Sequence, residues 1–267
     1  TQALDIYQKD GYVPAGSSTE GTGLVLASVN GDGTFTAKDR EGTLFYTHYD
    51  LANKASYTAG FTTDWYLNKI IKTNESTTSV DTVLAANALN YHTWRTENDK
   101  LLQRMGELRH NGEEEQGAWF RVKGSKISRD NKFGFENKYT AYELGYDQVT
   151  KQTEKVTRYQ GAAISYTDGN SSYNRGSGDN SSKSIGFYNT EIGSKGHYLD
   201  LVFKISNMDN DFTVYDTNNN KITGDFNNTG VSLSAEYGRK NNLQNGWYIE
   251  PQAQFTLGYL GGDHYVA

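Results

Sequence analysis

The sequence predicts an all-β protein interrupted by one long helix. Three observations carry that expectation. Apolar and polar residues alternate over stretch after stretch beyond Gly117, as in "YTAYELGYDQV" and "VSLSAEYGRK", and a period of two is the signature of a strand with unlike faces. Aromatic residues make up 13% of the 267 positions, with 20 tyrosines, which is too aromatic for a disordered chain. Finally, 28 glycines, many in turn-like clusters such as "NGDG", accompany only 2 prolines. This is the punctuation of many short connections.

Residues 1–77 read as β throughout. In "GLVLASVNGDGTFTAKDREGTLFYTHYD" short apolar strands are broken by "NGDG" and "REG", and an aromatic strand around Trp65, Tyr66 and Leu67 closes the region. The "GDG" triplet reads as a tight turn rather than a calcium loop. Residues 78–111 read as one helix. Thr78 or Ser79 can cap it, Asp81 suits the positive first turn, and Asn111-Gly112 can stop it. Trp94, Leu101, Met105 and Leu108 form its narrow apolar stripe. The remaining surface is charged by Arg95, Glu97, Asp99, Lys100, Arg104, Glu107 and Arg109. Such a helix is excluded from lipid but suits a soluble core or a wet tube, and its length is on the order of 45 Å.

From 117 onward seven strands of about ten residues are expected, from "GAWFRVKGSKI" to "WYIEPQAQFTLGYL", with an eighth starting at "DHYVA". The polar run "DGNSSYNRGSGDNSSK" reads as a long loop between two of them. On the strands, Leu144, Leu201, Phe203, Leu233 and Phe255 share one face. Arg121, Glu143, Asp200, Lys204, Glu236 and Glu250 share the other. A soluble sandwich would bury the apolar set; an outer-membrane barrel would turn it to lipid and enclose the charged set around a wet lumen. Strand length, aromatic residues near strand ends (Tyr139, Tyr166, Tyr198, Trp247, Tyr259) and alternating short and long connections favour the barrel.

Composition removes other classes. There are 0 cysteines, so disulfides, thiolate metal sites and cysteine nucleophiles are excluded. A net charge of −6 argues against nucleic acid. The 5 histidines, at positions 48, 92, 110, 197 and 264, lack metal-binding spacing, so neither metal nor cofactor is expected. Mean hydropathy is −0.76 and no run of 18 apolar residues occurs, but a membrane-crossing strand needs only about 9–11 alternating residues. The start "TQALDIYQKD" has no signal-peptide pattern.

"NDKLLQRMGELR", "GAWFRVKG" and "YTAYELGYDQ", followed by "YQGAAISYTDG", "HYLDLVFKI" and "GWYIEPQAQFTLGYL", resemble in order the translocator of pertactin-type autotransporters. Upstream, "LVLASVNGDGTFTA" and "WYLN" resemble the end of a passenger. The resemblance implies a twelve-stranded outer-membrane barrel, of which about seven to eight strands are present, with a lumen-plugging α-helix and a short β-solenoid cap before it. It divides the chain into a passenger end (1–77, autochaperone-like, at the cell surface), a linker helix in the lumen (78–111) and the N-terminal portion of the barrel (112–267). Its plug residues would be Trp94, Lys100, Arg104, Met105, Gly106 and Arg109. Gly106 would allow close packing on the wall, and the arginines would meet acidic lumen groups. Gln254 would join the lumen-facing set. The implied partners are outer-membrane lipid, the chain's own passenger, the barrel-assembly machinery and periplasmic chaperones.

An open set of strands with unpaired edges does not survive in lipid, so the sequence reads as a fragment of a longer chain. No catalytic motif is present, and no enzyme activity is expected. Some family members cut their own passenger through an intrabarrel asparagine. Asp200 and Glu236 match the carboxylates used there, but the position of one further acid is Gln254 and the asparagine pair falls on Asp99-Lys100. Cleavage by that route is therefore not expected. The function expected is export and anchoring of an N-terminal passenger; the alternative is a soluble or surface-attached β-rich adhesin without a transport role.

Overall fold

The computed structural model describes residues 1–7, 18–20, 23–42, 44–98 and 116–262. They form two compact units: residues 1–81 with 215–222, and residues 82–214 with 223–267. In the first, β1 (Gln2–Leu4) pairs in parallel with β4 (Phe35–Ala37). The other strands, β2 (Ser18–Glu20), β3 (Val25–Val29), β5 (Arg40–Glu41), β6 (Tyr46–Ala55) and β7 (Thr63–Lys72), form an antiparallel sheet centred on β6 and β7. One short parallel pair, β1 with β4, accompanies the antiparallel sheet in this unit. Tyr49, Leu67 and Ile70 form a small core with Leu26 and Leu51, and a register shift that skips Asn68, between Asp50↔Lys69 and Leu51↔Leu67, brings Leu67 and Ile70 to the same side. Gly31, at φ +100, makes the turn after β3.

Helix α1 spans Thr78–Thr96. Its cap is Thr77, not Thr78 or Ser79: the Val80 N–H donates to Thr77 Oγ1 at 3.4 Å. The helix expected over 78–111 is broken after Thr96 among the described residues, and 99–111 lie outside them. Regular helix ends at Thr96, and the N–H groups of Glu97 and Asn98 donate back to Trp94 and Arg95 carbonyls in tighter turns. Leu101 and Leu108 lie outside the described residues.

The second unit is dominated by β8 (Gly117–Arg129), β9 (Phe135–Gln152), β10 (Val156–Tyr173), β11 (Gly176–Gly193), β12 (His197–Tyr215) and β13 (Lys221–Arg239). After a separate two-stranded hairpin of β14 (Asn241–Asn242) and β15 (Tyr248–Ile249), β16 (Gln252–Leu260) pairs with β13. Sequence-adjacent strands are neighbours throughout the resulting seven-stranded antiparallel sheet, as a meander requires. The strand expected at "DHYVA" lies outside the described residues.

The strands are longer than the sequence suggested. Strands β9 to β13 have 18 or 19 residues each. The supposed loop "DGNSSYNRGSGDNSSK" is the paired end of β10 and β11, in register from Asp168↔Ser181 to Tyr173↔Gly176. Polar segments such as this satisfy their backbone groups in the ladder without needing an apolar face. Conversely, "WYIEPQAQFTLGYL" is interrupted at Glu250-Pro251, because proline has no N–H for the ladder. Two of the supposed girdle tyrosines, Tyr139 and Tyr198, are buried on the inner face instead.

Candidate functional site

The sheet's two faces differ row by row. On one face Phe120, Leu144, Ile164, Ile185 and Ile205 are consecutive cross-strand partners over five strands. All are exposed, from 39% to 65%. One residue further along each strand, on the opposite face, the row is Arg121, Glu143, Ser165, Ser184 and Ser206. On the outer face the next row contains Tyr142 and Tyr166 and then gives way to Lys183 and Asn207. Aromatic side chains thus border the apolar band where polar residues begin.

Helix α1 is seated on the polar face. Thr82, Ala85, Ala86, Leu89, Asn90, Thr93 and Trp94 are buried, so the seated side recurs at three- and four-residue spacing but is built largely of small and polar side chains. That is why an apolar stripe did not reveal it. Asn90 Nδ2 donates to Asn228 Oδ1 of β13 at 2.5 Å, and Asn228 in turn donates to the Gly261 carbonyl at 2.6 Å. Trp94 lies against glycine: a Cβ on Gly230 would come within 2.4 Å of its indole, and one on Gly258 within 2.2 Å. No bulkier residue fits under this ring.

Each end of the helix is held by a charged side chain. At the N-terminus, within the first unit, Glu41 accepts the N–H of Thr78 and, at 2.7 Å, that of Thr217. Thr217 belongs to the β12–β13 hairpin tip. Asp216 shapes that tip by accepting the N–H groups of Asn218 and Asn220, each at 2.8 Å. Burial pushes the Glu41 carboxyl up, but the hydrogen bonds from Thr217 and Thr78 to its charged form outweigh burial and hold it below the ordinary value. At the C-terminus, Lys123 Nζ donates to the Thr96 carbonyl at 3.2 Å and Lys204 Nζ to the Glu97 carbonyl at 2.7 Å. Two cations therefore meet the orphan carbonyls at the negative end of the helix dipole. Tyr139 Oη donates to Thr96 Oγ1 at 3.1 Å, and Ser206 Oγ to Glu97 Oε2 at 2.7 Å.

Of the residues singled out in the sequence, Arg121, Glu143 and Lys204 come together. Arg121 Nε donates to Glu143 at 2.8 Å, and Lys204 lies 3.8 Å from the other carboxylate oxygen. Asp200 accepts from Thr190 at 2.6 Å and Glu236 from Tyr198 at 2.8 Å, both on the same buried face. Gln254 sits opposite Glu236 and donates to Ser234 Oγ at 2.8 Å, where a carboxylate could only accept from that hydroxyl. Glu250 is not on a strand: it lies between β15 and β16. Lys100, Arg104, Met105, Gly106 and Arg109 lie outside the described residues, as does the Asp99-Lys100 pair. Glu41, Asn90, Lys123, Asn228, Gly230 and Gly258 were missed, because their roles arise from partners far away in sequence.

A meander of long strands, apolar and exposed on one side and polar on the other with a helix seated there, defines an outer-membrane β-barrel protein carrying an internal helix. The family model "Autotransporter beta-domain" matches residues 118–267, and the chain belongs to that family. It is 34% identical over 177 residues to the pertactin autotransporter of Bordetella parapertussis, a match covering 65% of this chain and 19% of the relative. It is 33% identical over 177 residues to the probable autotransporter YcgV of Escherichia coli, covering 64% of this chain and 18% of the relative. The serine protease EspC of Escherichia coli is 30% identical over 175 residues, with 66% and 13% covered. The chain thus spans less than a fifth of the length of these relatives. The crystal structure of the β-domain of the Bordetella autotransporter BrkA matches with a TM-score of 0.52 and 27% identity, over 57% of this chain and 60% of that one. The matched region is thus an autotransporter β-domain, the translocator part that resides in the outer membrane.

Proposed function

We propose that this chain holds the junction of an autotransporter: residues 1–77 are the end of the exported passenger, 78–111 the linker running through the pore, and 112–267 barrel wall. The observation that carries this reading is the seating of α1 on the face bearing Arg121, Glu143 and Ser206, while the adjacent row from Phe120 to Ile205 is exposed. A helix with this polar seat has no place against lipid, and the apolar row has no place in water. The charged inner residues act as wall partners of the linker rather than as catalysts. Barrel-assembly machinery and periplasmic chaperones are the partners such a domain needs on its way to the membrane.

The passenger stays joined to the barrel as one polypeptide, because Asp99-Lys100 supplies no asparagine side chain and Gln254 cannot ionise. The test is a gel of outer membranes carrying the full-length protein with Asn90→Cys and Asn228→Cys, placed in a stretch of 267 residues that has 0 cysteines. The expected result is one heat-modifiable species that forms an internal disulfide under oxidation. Failure to crosslink in membranes where the barrel is folded would overturn the luminal helix; a discrete barrel band starting at Asp99 or Lys100 would overturn non-cleavage.

A further inference from the structure

At the end of the sheet opposite the β12–β13 tip, three connections wall a recess of about 750 Å³: the β9–β10 turn, the β11–β12 turn and the segment following β13. They are built as one piece. The Ser194 N–H donates to the Lys155 carbonyl at 2.9 Å, and the Lys240 N–H to the Gly196 carbonyl at 2.8 Å. Gly196 has φ +81, and a Cβ there would come within 2.4 Å of the Lys240 carbonyl, so the close approach requires glycine. Tyr198, 2% exposed, forms part of the lining and is anchored to Glu236 and to Gln252 Oε1 at 3.0 Å.

The lining is strongly basic in a chain of net charge −6. Lys155, Lys195, Arg239 and Lys240 border the recess against a single acid, Glu154. Among the described residues none of these groups is in an ion pair, although Lys240 also rests over the Tyr248 ring at 4.4 Å. Lys155 and Ser194 are hydrogen-bonded neighbours, as are Gly196 and Lys240, so the four cations follow one another along a single rim. Four cations against one acid present more positive charge than one phosphate neutralises, and a run of carboxylates matches it in number.

We propose that this recess is a docking site for an acidic segment of a polypeptide. The proposal rests on the translocator reading for its setting: with residues 1–77 exported, these turns face the periplasm, where exported chains and assembly factors meet the barrel. Charge complementarity of this kind speeds encounter and selects partners.

The test uses the full-length protein in detergent and a fluorescein-labelled hexaglutamate peptide, read by anisotropy. Binding is expected to weaken about tenfold or more in Lys155→Glu/Lys195→Glu/Lys240→Glu and to fall with added salt. Lys132→Glu/Lys221→Glu, at the other end of the sheet, should leave it unchanged. Lys155→Gln/Lys195→Gln, a milder change on exposed turns, should show a smaller loss. Absent binding, or binding insensitive to these lysines, would overturn the proposal. So would retention of phosphatidylglycerol vesicles, but not the peptide, through the same residues. Heat-modifiable migration and surface exposure of residues 1–77 are read on the same variants. Their loss in the wild type would count against the translocator reading, whereas their persistence without peptide binding would count against the recess alone.

Discussion

Glu41 shows how one carboxylate can organise a junction within the first unit. It is 7% exposed, yet it is held charged because two backbone N–H groups point at it. Its folded-state pKa is below the ordinary value, so its contribution to stability is complete above that value and is lost as pH falls through the folded one. Glu41→Gln should therefore weaken the first unit at neutral pH, by on the order of 1–2 kcal/mol. It should also flatten the loss of stability that the wild type shows on acidification below about pH 4; proteolysis of residues 1–77 across pH reads both. The glycines under Trp94 make a second residue-scale case. Gly230→Leu should drive a side chain into the indole and lower stability by about 1–3 kcal/mol. The loss should be partly relieved by Trp94→Ala, with the unfolding midpoint of the barrel on heated gels as the measure.

At the scale of elements, the sequence announced strands where one face was apolar and went silent where both were polar or the apolar side switched. Leu199, Leu201, Phe203 and Ile205 mark β12 by alternation, but beyond Ser206 that face turns polar at Asn207, Asp209 and Asp211 and the apolar residues change sides to the buried Met208, Phe212 and Val214, while the strand still pairs residue for residue with β11. The helix was legible from Thr78 onward, but its break after Thr96 was not. Nothing near Thr96 in the sequence says that Lys123 and Lys204 will reach its carbonyls from β8 and β12. Lys204→Met should leave the Glu97 carbonyl and part of the Glu143 charge without a partner. A loss of roughly 1–3 kcal/mol is expected, smaller for Lys204→Arg, again read as the barrel's unfolding midpoint. An unchanged midpoint would mean that the lysine does not secure the helix end.

At the scale of the whole molecule, the central claim is that the apolar face meets lipid and the polar face encloses the linker. Periodicity in the sequence separated the two sets of residues but could not say which set was inside. The register settles how they are arranged: Phe120 to Ile205 forms one row, and Arg121 to Ser206 the row behind it. On β12 the apolar side runs from Leu199 to Ile205, about 20 Å of strand, which is close to the height of an outer-membrane apolar band. The most direct measurement places single cysteines at positions 201 to 205 of the full-length protein in outer-membrane lipid, attaches nitroxides, and compares collision with oxygen and with a water-soluble nickel chelate. The account predicts strict alternation, with oxygen favoured at Leu201, Phe203 and Ile205 and disfavoured at Val202 and Lys204. The opposite phase, or the nickel chelate favoured at Leu201, Phe203 and Ile205, would contradict it.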